Sequence, residues 1–115
     1  MLPVTSAHIR QLITARRARN HHFDRELFAD PAWDILLEAF IAFNDRQHPS
    51  VSALCDCSGV PSSTALRWIA KLEQDGWLVQ NENAPDENLL ALSPRGVYAM
   101  LGWLEHVAPI VVPTS

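Results

Sequence analysis

The chain has 115 residues, 48% of them hydrophobic and 19% charged, which is the composition of one globular domain and excludes a disordered or low-complexity chain. Its net charge of −4 excludes a domain that holds nucleic acid by overall positive charge alone, because phosphate contacts need local positive charge. The sequence contains neither an apolar run of roughly 18 residues nor a basic-then-apolar leader, so we expect a cytoplasmic protein.

Two helices are predicted in the first half of the chain. Ile9, Leu12 and Ile13 are spaced at i, i+3 and i+4, which predicts a first helix over about residues 6–22. Asp30-Pro31 is a start signal for the second, because Asp favours the N-cap and Pro fits the first helical position. The second helix is the most hydrophobic one, so we expect it at the centre of the fold. His48-Pro49 ends it, since proline disfavours helical geometry in the residue before it.

Two short helices joined by a glycine-containing turn are predicted over about residues 50–76. Ser50 or Ser52 can cap the first of them, which ends at Gly59. Ser62 is the predicted cap of the second, which ends at Gly76. Its apolar positions follow the spacing i, i+3, i+4 and i+7 and are Ala65, Trp68, Ile69 and Leu72. This arrangement is a helix-turn-helix, whose second helix is free to enter a major groove.

A β-hairpin, or wing, is predicted over about residues 77–93. WLVQ and LLALS read as short strands, and the polar stretch NENAPDEN between them carries turn-forming residues. Ser93-Pro94 begins a last helix over about residues 94–107, before Pro109 and Pro113 end regular structure. The predicted fold is therefore a single domain over residues 1–115, mainly α with a small β-hairpin (α+β): a winged helix-turn-helix of about five helices.

The segment SALCDCSGVPSSTALRWIAKLEQDGWLVQ resembles the core of winged-helix transcription regulators of the MarR type, and LLALSPRG resembles their wing return. The resemblance implies a repressor that binds double-stranded DNA as a homodimer, with the first and last helices packed together. It also implies a wing that carries an Arg to the minor groove. Here the wing tip is acidic instead, with Glu82, Asp86 and Glu87, so we expect a wing that stays off DNA or meets a protein partner. The alternative function is a protein-interaction module with weak or no DNA binding.

The candidate DNA contacts lie on the second helix of the helix-turn-helix. They are Ser62, Ser63, Thr64, Leu66, Arg67 and Lys71. Arg67 and Lys71 are four residues apart and share a helix face, and the hydroxyls at the helix start can meet phosphates or base edges. Leu66 can touch a thymine methyl group or pack in the core. The alternative for the whole set is a solvated helix face with an ordinary serine cap.

The sequence also predicts a set of phosphate contacts and a set of dimer-interface residues. Possible phosphate contacts are Arg16, Arg17, Arg19 and Arg95. For the first three, ion pairs with Asp24, Glu26 or Asp30 are the slightly favoured alternative. The predicted dimer interface consists of Ile9, Leu12, Leu101, Trp103 and Leu104.

Neither an enzyme nor a metal protein is predicted. The sequence has no Gly-rich phosphate loop, no H-E-x-x-H and no G-x-S-x-G, so we expect no catalytic residue and no cofactor. Cys55 and Cys57 lie two apart in a predicted helix, where their side chains diverge by roughly 200°. Buried reduced thiols are the favoured interpretation, and a metal site completed by histidines is the less favoured one.

Overall fold

The computed structural model of the chain describes residues 6–81 and 89–111, and side chains of the last helix as far as Val107. Within these ranges the α-helices are α1 (Ser6–Ala18), α2 (Pro31–Asn44), α3 (Val51–Cys57), α4 (Ser62–Gln74) and α5 (Pro94–Val111). Two 3-10 turns, Arg19–His21 and Arg25–Phe28, connect α1 to α2. Strands β1 (Leu78–Gln80) and β2 (Leu90–Leu92) pair antiparallel, with Leu78 opposite Leu92. The predicted class, mainly α with a two-stranded wing, is confirmed.

Several predicted helix ends are confirmed, because short-range chemistry determines them. Ser50 caps α3, and its hydroxyl accepts a hydrogen bond from the Ala53 amide at 3.0 Å. Gly59 and Gly76 have φ of +77° and +84°, the left-handed backbone that favours glycine, and they follow α3 and α4. Ser93 caps α5, since its hydroxyl accepts a hydrogen bond from the Gly96 amide at 3.0 Å.

Three predicted details at helix ends are wrong. Ser62 is the first residue of α4 and not its cap, because Pro61 takes the extended N-cap position and its carbonyl accepts from the Ala65 amide at 2.9 Å. Asp30 precedes α2 but makes no capping hydrogen bond with its side chain. Helix α5 continues past Pro109 to Val111. Proline removes one helical hydrogen bond and crowds the carbonyl four residues earlier, and α5 runs for just two residues beyond it.

The core surrounds α2, which packs against α1, α3, α4 and β2. Its side chains Ile35, Leu37 and Phe40 are almost completely buried. Helix α4 buries Ala65, Ile69 and Leu72, but Trp68, predicted as the fourth apolar position of this helix, is 39% exposed. The apolar face of α4 is therefore narrower than its spacing indicated. None of the helices that the structure describes is long and apolar enough to cross a membrane.

Candidate nucleic-acid interface

The side of α4 that faces away from the core forms one continuous line of exposed residues. Ser63, Arg67, Ala70 and Gln74 follow each other at i, i+4, i+7 and i+11, and all four are exposed. At 1.5 Å per residue this line is about 16 Å long. Leu66 lies beside it and is 49% exposed. A helix with one buried side and one free side of this length can be inserted into a major groove.

The DNA contacts predicted on α4 differ in their exposure and in whether they already have a partner in the chain. Ser62, Ser63, Leu66, Arg67 and Lys71 are exposed, whereas Thr64 is half-buried. Lys71 already pairs with Asp75, with 3.2 Å between Nζ and Oδ2. Arg67 has neither an ion pair nor a side-chain hydrogen bond to any residue in 6–81 or 89–111, so it is the cation of α4 that is free to meet a ligand.

Two residues of the exposed line, Ala70 and Gln74, were missed by the sequence analysis. The signal was present in the spacing, because both continue the line of Ser63 and Arg67 by one and two helical turns. Gln74 is a residue type that can form two hydrogen bonds with adenine in the major groove.

Hydrogen bonds hold the turns on both sides of α4. In the turn before it, Ser58 is fully buried and its hydroxyl donates to the Cys55 carbonyl of α3 at 2.6 Å. At the end, the Ser93 hydroxyl donates to the Gly76 carbonyl at 2.6 Å. The exposed line is therefore carried by a helix whose position is determined by its neighbours.

The first of the predicted basic residues, Arg16, lies between two carboxylates. Its guanidinium is 2.8 Å from Asp34 Oδ1 and 3.6 Å from Asp30 Oδ2. Burial raises the pKa of Asp34, and the charge of Arg16 opposes part of that rise. The alternative of an ion pair with Asp30 is thus confirmed for this residue, and it ties α1 to the start of α2.

Arg17 and Arg19 also have partners inside the chain. Arg17 donates to the Cys57 carbonyl at 2.5 Å, which joins α1 to the end of α3. Arg19 donates to the Arg16 carbonyl at 3.0 Å, and its guanidinium lies 4.7 Å from the centre of the Phe28 ring. Phosphate contacts by the cluster stay a prediction, and each would compete with an existing intramolecular contact.

The residues predicted for a dimer interface fall into two groups. Ile9 and Leu104 are 0% exposed and belong to the core of the single chain, so the prediction for these two is corrected: they have no surface to offer a partner. Leu12, Leu101 and Trp103 are half-buried, and Trp103 packs edge-to-face on Trp33 with 4.7 Å between ring centres. The periodicity that indicated an interface is explained for Ile9 and Leu104 by packing within one chain.

The two cysteines are free thiols in α3. Burial raises the pKa of the Cys57 thiol to about 12, and the nearby Glu38 carboxylate adds to the rise. The thiol donates to the Leu54 carbonyl at 3.1 Å. Across residues 6–81 and 89–111, no three His, Cys, Asp or Glu side chains lie together in a way that could hold a metal ion.

We expect Cys57 to be unreactive while the protein is folded. At pH 8 a thiol with this pKa is ionised in only about one molecule in ten thousand, and the thiolate is the reactive form. In a Cys55→Ala variant, which leaves Cys57 as the single thiol, labelling by a disulfide reagent should be about a hundredfold slower without urea than with it. Equal labelling rates with and without urea would show that the Cys57 thiol is not buried and that its pKa is not raised.

The acidic wing tip, Glu82, Asp86 and Glu87, lies outside the described residues. The strands on either side of it are short, and β1 presents Val79 to solvent at 41% exposure. The strands therefore give the wing a base of three paired positions, Leu78–Gln80 with Leu90–Leu92.

Helices α3 and α4, the Gly59 turn between them and the hairpin after Gly76 define a winged helix-turn-helix domain. Residues 33–82, from α2 to just beyond β1, match the family model of the IclR helix-turn-helix domain. No curated protein matches the chain. The domain match indicates a DNA-binding transcription regulator with a winged helix-turn-helix. The resemblance to the MarR type within this class stays a prediction.

Proposed function

We propose that the protein is a sequence-specific DNA-binding repressor that acts as a homodimer and inserts α4 into the major groove. The observation that carries the proposal is the exposed line Ser63, Arg67, Ala70 and Gln74, with Arg67 lacking a partner in the described part of the chain. An exposed cation without an intramolecular partner pays no cost of breaking an ion pair when it binds DNA.

The residue types on this line suit base recognition. Arg67 can bind the O6 and N7 atoms of a guanine with two hydrogen bonds, and Gln74 can do the same with adenine. Ser62 and Ser63 lie at the beginning of the helix, where hydroxyls and backbone N–H groups bind phosphate. Lys71 can contact phosphate only by leaving Asp75, so we expect a smaller contribution from it.

A homodimer would place two copies of α4 in successive major grooves of a palindromic site, about 34 Å apart. The proposed dimer face is α5, where Leu101 and Trp103 keep part of their surface and Tyr98 is 82% exposed. Bound in this way, the dimer would exclude other proteins from the same DNA, which is the simplest form of repression. Sedimentation of the wild type and of a Tyr98→Glu variant tests the dimer face, because a charge there should shift the protein towards monomer.

Arg67→Ala should weaken binding to the preferred duplex by about tenfold to a hundredfold, since a two-bonded Arg–guanine contact contributes about 1–3 kcal/mol. Binding is measured by fluorescence anisotropy against duplexes selected from a random pool, at two salt concentrations. The matched control is Lys71→Ala, which removes the same charge from the same helix. Because Lys71 is already paired with Asp75, we expect a smaller loss that is similar for all sequences.

Absence of binding by the wild type at low salt would refute the proposal. It would favour the alternative of an interaction module, whose acidic wing residues Glu82, Asp86 and Glu87 would then meet a basic protein surface. Equal losses in the two variants would place Arg67 among general phosphate contacts and remove its role in sequence reading.

A further inference from the structure

The junction between the end of α4 and the beginning of α5 contains an arginine with two intramolecular contacts. Arg95 Nη1 donates to the Asp75 carbonyl at 2.7 Å. Asp75 is the C-cap residue of α4, where the negative end of the helix dipole attracts a cation. Arg95 thus contacts the end of the proposed recognition helix from a different helix.

The second contact of Arg95 is with the ring of Trp77. The guanidinium carbon lies 3.9 Å from the centre of the Trp77 ring, which is a cation–π stack. Trp77 directly follows Gly76, the glycine that ends α4 with φ of +84°. The stack and the hydrogen bond together hold Arg95 against both sides of the glycine turn.

The backbone before and at the start of α5 also lies close to the backbone of Gly76 and Trp77. The Ser93 amide donates to the Trp77 carbonyl at 3.0 Å, and the Ser93 hydroxyl donates to the Gly76 carbonyl at 2.6 Å. A Cβ atom at Gly96 would lie only 2.6 Å from the Trp77 carbonyl oxygen. The first turn of α5 and its cap therefore touch the backbone of the turn that follows α4, without an intervening layer of side chains.

We propose that Arg95 is a positioning residue that sets the orientation of α4 for DNA binding, in place of the phosphate contact expected from the sequence. The inference rests on the proposed function. Arg95 is an exposed residue, but its guanidinium already has two intramolecular partners, since one nitrogen donates to the Asp75 carbonyl and the guanidinium carbon lies over the Trp77 ring. Lysine can make either contact but not both in the same way, because its ammonium is a point charge without a plane that stacks on Trp77 while a nitrogen donates to the Asp75 carbonyl.

The test compares Arg95→Ala, Arg95→Lys and wild type for binding to the preferred duplex across a salt series, at a temperature where circular dichroism shows all three folded. We expect both variants to bind about tenfold more weakly, which corresponds to 1.4 kcal/mol. The slope of log affinity against log salt should remain that of the wild type, because no phosphate contact is lost. Non-specific binding should change little, since it depends on charge near the phosphates.

Two results would overturn the inference while leaving the proposed function intact. One is a slope that falls by about 1 in Arg95→Ala and is restored in Arg95→Lys, which is the behaviour of a phosphate contact. The other is unchanged affinity in both variants with only a lower melting temperature, which would show a purely structural role. If Arg95→Ala fails to fold, Arg95→Lys alone tests the inference: an affinity about tenfold weaker with the wild-type slope supports it, and wild-type affinity overturns it.

A measurement without DNA separates failure of this inference from failure of the proposed function. With 5-fluorotryptophan incorporated, the ¹⁹F signal of Trp77, identified with a Trp77→Phe variant, should shift in both Arg95 variants. An unmoved signal would refute the stacked arrangement. A wild type that shows the stack but binds no duplex would refute the proposed function, and with it the role of Arg95 in DNA binding.

Discussion

A Gly96→Ala variant should lose about 3 kcal/mol of its free energy of unfolding, at the upper end of the usual cost of overpacking. The added methyl group would lie 2.6 Å from the Trp77 carbonyl oxygen and 3.1 Å from Leu92 Cδ2. The first of these atoms is backbone, and Trp77 is also tied to Ser93 and Leu72 by hydrogen bonds, so it cannot move aside cheaply. Urea denaturation followed by circular dichroism measures the loss.

The matched control for this variant is Gly102→Ala in the same helix. A Cβ atom at Gly102 meets nothing within 4 Å. Alanine is a better helix former than glycine by about 1 kcal/mol, so this variant should gain stability. Opposite signs at the two glycines are the expected result. A gain at both positions would mean that α5 does not approach Trp77 as closely as the structure shows.

The second large effect is expected at Phe40 in the middle of α2. Its ring is 1% exposed and belongs to the core cluster that α2 shares with its neighbours. Phe40→Ala should therefore cost about 3–5 kcal/mol, the sum of lost apolar burial and the cavity left behind. A domain of this size has a total stability of about 5–15 kcal/mol, so we expect a strongly lowered melting temperature.

Phe43, one turn further along the same helix, provides the control. Its ring is 51% exposed and stacks on Phe40 with 6.1 Å between ring centres. Phe43→Ala should cost less than about 1 kcal/mol, because half of the ring is already in water. Similar losses in the two variants would indicate that Phe43 is covered in solution, as a second copy of the chain would do.

The Gly96 variant also bears on DNA binding. It changes the same junction that Arg95 spans, so the folded fraction of Gly96→Ala should share the weaker binding expected of the Arg95 variants. Phe40 is a core residue of α2, and it takes no part in the hydrogen bonds or the ring contact described at that junction. Its variant should lose stability with little change in the affinity of the folded fraction.

How far the candidate site could be predicted depends on the range of the interactions involved. Helical spacing placed Arg67 on one face with Lys71, whereas Ser63 was predicted from its place at the helix start and Leu66 was left open between a groove contact and the core. The structure exposes Ser63, Leu66 and Arg67. The same helical spacing includes Ala70 and Gln74, but the prediction considered the basic and hydroxyl residues of the helix and left these two out. Lys71 and Asp75 are separated by four residues, so the i, i+4 spacing of a helix could also have predicted their ion pair.

Residue types and their neighbours along the chain determined the helices, the caps and the turns of this protein. Gly59 and Gly76 follow the ends of their helices because glycine tolerates the left-handed backbone. Ser50 and Ser93 cap the beginnings of theirs because each hydroxyl accepts a hydrogen bond from a backbone amide three residues later. These effects act over a few residues, so a sequence pattern could predict them, whereas the caps it predicted for α2 and α4, Asp30 and Ser62, were wrong.

Only the tertiary structure decided which apolar and charged groups face each other. Ile9 and Leu104 have the same spacing whether they meet a partner chain or their own core, and packing placed them in the core. Arg16 pairs with Asp34, at a separation of 18 residues in the sequence, and Arg95 donates to the Asp75 carbonyl, at a separation of 20 residues. Contacts between distant residues depend on how the helices cross, and the periodicity of one helix carries no information about that crossing.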